Sequence, residues 1–179
     1  MTTASYITLL RVLLIFPIII FSSFQSSLFN YLALVLFIFA GLTDYLDGYI
    51  ARKTNSVSEL GGLLDLLADK LLISAILIWL LFLDNSILLM IPIIIIVLRE
   101  LIISSLRQFA LERRKKIEVS MLGKGKTTIH LISIGLIIIN PEFGKFFYIF
   151  SVFFLWVAAF ISIISLIKYL NSTIKTFKV

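Results

Sequence analysis

The chain has no cysteine and a single histidine, His130, among 179 residues. Without thiols there is no disulfide framework, and zinc fingers and cysteine-held iron–sulfur clusters are excluded with it. Any metal must be held by oxygen, which selects hard cations such as Mg2+ or Mn2+. Charge is scarce, at 15% of residues, with ten acids against sixteen bases. Proline appears three times, and there is no internal repeat, low-complexity tract or flexible linker. The N-terminus has no basic run and no small-residue cleavage site, so no removable signal peptide is expected.

What fills the chain is apolar. Hydrophobic residues make up 60% of it, against about 45–50% in a soluble domain, and the mean hydropathy is +1.11. This is the composition of an integral membrane protein, read as one domain over residues 1–179. The net charge of +6 then points to anionic lipid or an anionic substrate, not to nucleic acid.

Crossing the hydrocarbon takes about 20 helical residues, and the sequence predicts an all-α bundle of six transmembrane helices. The spans run from about Tyr6 to Phe24, Leu28 to Arg52, Val57 to Leu83, Ile87 to Glu112, Met121 to Ile139 and Phe143 to Leu170. Serine and glutamine separate the first two, Asp84-Asn85-Ser86 the third from the fourth, and Asn140-Pro141-Glu142 the last two. Arg52, Lys53, Arg113 to Lys116, Lys168, Lys175 and Lys178 all fall on one side, and Lys145 alone on the other. The basic side is expected to be cytoplasmic, with both termini there.

Against this background four aspartates stand out: Asp44, Asp47, Asp65 and Asp69. An acid in an apolar helix costs roughly 2.5–3.5 kcal/mol at the bilayer centre on insertion scales. The first pair is spaced i, i+3 and the second i, i+4, so each shares a helical face. On a helical hairpin all four reach similar depth, about 9 to 18 Å in from the basic side. Four facing carboxylates repel and take up protons unless cations balance them. Two divalent ions would do so, and paired metals suit in-line phosphoryl transfer. Ala40, Gly48 and Ala51 on one stripe and Gly61 and Ala68 on the other leave room for a large ligand. Arg52 at the mouth could contact a diphosphate.

The pattern Asp44-x2-Asp47-Gly48-x2-Ala51-Arg52-x8-Gly61-x3-Asp65-x3-Asp69 resembles the signature of the CDP-alcohol phosphatidyltransferases, matched at all eight fixed positions within a 26-residue window. That resemblance implies four aspartates holding two divalent cations, Mg2+ or Mn2+, with Asp69 also the base on the acceptor hydroxyl. It implies that Gly48, Ala51, Arg52 and Gly61 serve the CDP-diacylglycerol site. Thr8-Leu-Leu-Arg11, Arg99 to Arg107 and Gly123-Lys124-Gly-Lys126-Thr127-Thr128 look like the bacterial members that use glycerol 3-phosphate, over about residues 5–140. Thr8, Arg11, Arg99, Arg107, Lys124 and Lys126 are then the expected acceptor-phosphate ligands, and relatives imply a homodimer. Leu66 stands where relatives often have proline, and the asparagine often found before the first span is absent.

Blander readings stand beside these. The acids could form an ion-pair network with Lys70 and Arg52, although four acids exceed what those two can neutralise. Arg11, Arg107, Lys124 and Lys126 could snorkel to the interface. Arg99 could simply pair with Glu100. Arg113 to Lys116 are expected as a topology signal, and His130, Trp79 and Trp156 as packing residues. A different acceptor (serine, inositol phosphate or phosphatidylglycerol) would use the same chemistry. A divalent-cation transporter is the reading outside the class, but the motif acids crowd one half of the bilayer and no inverted repeat is visible.

Overall fold

The computed structural model describes the backbone of residues 3–54, 59–113 and 122–178; within those stretches the side chains of 3–7, 44–54, 59–66, 69, 111, 112, 122–126 and 178 lie outside the description. The described residues are all-helical. In order they form α1 (Thr3–Ser23), α2 (Ser27–Thr54), α3 (Glu59–Asp84), α4 (Ile87–Glu112), α5 (Leu122–Ile139), a 3-10 turn at Asn140–Glu142 and α6 (Gly144–Lys178).

The reversals have local causes. Gln25 and Asn85 take left-handed backbone, at φ 47° and 51°, the conformation that ends helices and that asparagine tolerates. Ser86 then opens α4: its Oγ accepts the Leu88 N–H at 3.2 Å, a helix N-cap. Pro141 cannot continue α5, and the chain turns through the 3-10 segment into Gly144 at φ 75°. Glu142 closes this end. It accepts hydrogen bonds from Ser27 and, at 2.7 Å, from Asn30 Nδ2, tying the α5–α6 turn to the start of α2. Past Leu170 the sequence has no proline or glycine, and α6 continues to Lys178. At 1.5 Å per residue it is about 50 Å long, well beyond the ~30 Å hydrocarbon core.

α1 packs against α2 and α3, α2 and α3 each against α5, α3 against α4, and α6 against α4 and α5. Ile18, Phe37, Leu72, Leu77, Ile93, Ile134 and Leu155 form the centre, with Ala33, Ala40 and Ala158 where backbones approach. The outside is as apolar as the inside: Phe146 is 86% exposed, Phe82 73% and Phe160 66%. Apolar surface on this scale needs a nonpolar medium. Among the described residues, Ile87–Ala110 and Gly144–Phe177 are long and apolar enough to cross a bilayer, while Thr8–Ser23, Ser27–Thr43 and Thr127–Glu142 are shorter apolar helices. The chain is a membrane protein.

Candidate active site

All eight motif residues lie within helices, Asp44, Asp47, Gly48, Ala51 and Arg52 on α2 and Gly61, Asp65 and Asp69 on α3. Their side chains lie outside the described residues, as do those of Lys124 and Lys126 on α5. The backbone still gives their level in the bundle, because contacts elsewhere fix the register of each helix pair.

Two short connections make α1 and α3 parallel. Trp79 Nε1 donates to Ser22 Oγ at 2.9 Å. Counting back from that contact, Arg11 is level with Ala68 and Thr8 with Asp65. On the antiparallel pair α3–α4, Lys70 Nζ donates to Ser104 Oγ. One turn nearer the basic end, Arg107 is level with Leu67, between Asp65 and Asp69. Arg99 lies deeper, level with Ala75. Between α2 and α5, a Cβ added at Gly135 would stand 3.2 Å from Leu34 and one at Gly41 3.3 Å from Leu131. Extending that antiparallel register brings Asp44 and Gly48 to the turn that carries Lys124 and Lys126. The register thus gathers the acid motif and the cationic set, Arg99 excepted, at one end of the bundle.

The described members of the expected acceptor-binding set are not exposed. Arg11 is fully buried and Thr8 is 4% exposed, and both are engaged in further interactions. A snorkelling arginine would reach water, and Arg11 does not. Arg99, also buried, donates from Nη1 to Glu100 Oε1 at 2.9 Å and from Nη2 to Ser165 Oγ at 2.7 Å. The pair with Glu100 therefore exists, but it does not exhaust the guanidinium: Nε is buried with no hydrogen-bond partner among the described residues. Arg107 is half-buried, and its charge acts on Arg99. Lys70 turns toward α4, and Ser104 in turn donates to the Glu100 carbonyl. His130 is buried against α6, with Nε2 2.8 Å from Ser162 Oγ, a packing position. Trp79 bonds Ser22, and Trp156 donates to the Leu88 carbonyl at 3.1 Å near the start of α4.

Among the described residues no three His, Asp or Glu side chains gather to hold a metal; the four aspartates fall outside that set. Their donor chemistry fits hard divalent cations, being all carboxylate, two on α2 and two on α3. An apolar groove of about 500 Å³ runs between α2 and α5, lined by Leu34, Ile38, Gly41, Thr128, Ile132 and Gly135 among others. Its basic end stops within a turn of Asp44 on one wall and Lys126 on the other.

The sequence reading did not implicate α6. Ser151, Ser162 and Thr173 recur eleven residues apart, about three turns, and all three are buried. That stripe marks a buried face of α6 and does not include Ser165.

A family profile described as CDP-alcohol phosphatidyltransferase matches residues 1–164. Curated relatives include a Rickettsia felis protein 37% identical over 175 residues, covering 97% of this chain and 96% of its own. A Haemophilus influenzae protein is 37% identical over 170 residues, covering 93% and 90%. A Bacillus subtilis protein is 37% identical over 145 residues, covering 80% and 74%. Each carries the name CDP-diacylglycerol–glycerol-3-phosphate 3-phosphatidyltransferase.

Proposed function

The chain belongs to the CDP-alcohol phosphatidyltransferase family, and from that premise we propose that it transfers a phosphatidyl group from CDP-diacylglycerol to glycerol 3-phosphate. The products are phosphatidylglycerophosphate and CMP. The observation that carries this reading is Arg11: a fully buried arginine at the level of Asp65 and Asp69 fits an anionic acceptor brought to an acidic, cation-loaded site.

In this reading all six helices span a bacterial inner or cell membrane, the basic end faces the cytoplasm, and two copies form a homodimer. Asp44, Asp47, Asp65 and Asp69 hold two divalent cations, Mg2+ or Mn2+. When bound, these ions offset the charge of the diphosphate and of the two oxygens between which phosphorus moves. Gly48, Ala51 and Gly61 leave room for the cytidine nucleotide, and Arg52 meets its diphosphate. One acyl chain lies in the α2–α5 groove. Thr8, Arg11, Arg107, Lys124 and Lys126, with Arg99 beneath, bind the acceptor phosphate and turn its C1 hydroxyl toward Asp69. Asp69 takes the hydroxyl proton, the oxygen bonds to the β-phosphorus, and the bond to CMP breaks. The protein mainly orients the reactants in a site screened from bulk water.

The test is CMP release by the purified protein from CDP-diacylglycerol with a panel of alcohols, with and without EDTA. Release with glycerol 3-phosphate that EDTA abolishes is expected. Release with serine or inositol phosphate in its place would overturn the acceptor assignment.

A further inference from the structure

α6 carries no member of the acid motif or the cationic set, yet it holds one of those cations. Ser165 Oγ accepts from Arg99 Nη2 at 2.7 Å across 66 residues of sequence, while Glu100, the neighbouring residue, takes Nη1 at 2.9 Å. A guanidinium is a rigid plane of five donors. Anchored at both terminal nitrogens, it cannot rotate, so its Nε–H points in one fixed direction. That N–H is buried and has no acceptor among the described residues, an arrangement that costs free energy until an oxygen arrives.

The local charge says what kind of oxygen. Arg107 adds a second positive charge that acts on Arg99 beside its pair with Glu100. The helix that carries the pair is also tied to the acid motif's helix: Lys70, next to Asp69, donates to Ser104, and Ser104 to the Glu100 backbone carbonyl. The contacts run from α3 through α4 to α6.

We propose that Ser165 is a positioning residue for the acceptor: by anchoring Arg99 Nη2 it aims the remaining N–H at a phosphate oxygen. This rests on the acceptor reading given above. Ser165 touches no substrate and acts through Arg99.

The experiment titrates glycerol 3-phosphate at saturating CDP-diacylglycerol, with the full chain, Ser165→Ala and Ser165→Thr, and records a thermal melt of each. Ser165→Ala is expected to raise KM for glycerol 3-phosphate roughly five- to tenfold, the worth of about one hydrogen bond. Its kcat should fall far less, and its KM for CDP-diacylglycerol should stay put. Ser165→Thr, which keeps the hydroxyl, should restore the glycerol 3-phosphate KM. A wild-type KM in Ser165→Ala would overturn the proposal, as would equal losses for both substrates tracking a lowered melt. If the wild-type chain itself releases no CMP with glycerol 3-phosphate, the acceptor reading fails and takes the proposal with it. Normal wild-type turnover beside an indifferent Ser165→Ala refutes the proposal alone.

Discussion

Replacing Arg11 by methionine removes a full charge from a place that water does not reach, since the residue is 0% exposed. Methionine fills similar space without a donor. If Arg11 binds the acceptor phosphate, the variant loses one hydrogen bond between charged groups, worth about 1.5–3 kcal/mol. At 1.36 kcal/mol per factor of ten, that is roughly 10- to 150-fold in kcat/KM for glycerol 3-phosphate. KM for CDP-diacylglycerol should hardly move. If instead Arg11 only neutralises buried acids, its loss strands them, at about 3–5 kcal/mol of stability, and both substrates suffer together.

Acceptor titration at saturating CDP-diacylglycerol separates the two, with a thermal melt as the control for folding. Arg11→Lys is the companion variant. It keeps the charge but not the planar fork, so it should lose part of the effect and fold as wild type. The reasoning is refuted if Arg11→Met folds and turns over glycerol 3-phosphate with wild-type kcat/KM.

Other outcomes follow from the same geometry. Asp69→Asn should leave the melting temperature near wild type and reduce CMP release to background; substantial turnover would remove Asp69 as the base. Ile132, 47% exposed on the α2–α5 groove, offers a steric test. Ile132→Trp should raise KM for long-chain CDP-diacylglycerol more than for a dioctanoyl analogue, and an equal change in both would empty the groove of its assigned role. Glu142 offers a pH test at the other end. Hydrogen bonds from Ser27 and then Asn30 hold its carboxyl below the ordinary 4.5. A lowered folded pKa means the contribution is present at neutral pH and lost as pH falls below 4.5 through the folded value. Glu142→Gln should therefore melt lower at neutral pH and lose less on acidification; an acid limb identical to wild type would show that the contact contributes nothing.

What the sequence disclosed, and what it hid, follows the cost of each residue in lipid. An aspartate in an apolar helix is expensive, so four of them at helical spacing cannot be accidental, and the acid motif is legible from residue types and spacing alone. Breakers are legible for a similar reason. Asn85, Ser86 and Pro141 interrupt the backbone pattern, and α4 begins and α5 ends where they say. A serine is different. Within a helix its hydroxyl can return to the carbonyl one turn back, as Ser151 does to Phe147 and Thr173 to Tyr169. It is therefore nearly free anywhere in a span and draws no attention by itself. Whether such a hydroxyl serves its own helix or another is decided by what packs opposite. Ser165 faces Arg99 because α6 lies on α4, and Ser162 faces His130 because it also lies on α5. No local pattern in residues 144–178 carries that information. The same holds for Arg11: its charge is plain in the sequence, but only the packing of α1 between α2 and α3 decides that it turns inward rather than out to the interface.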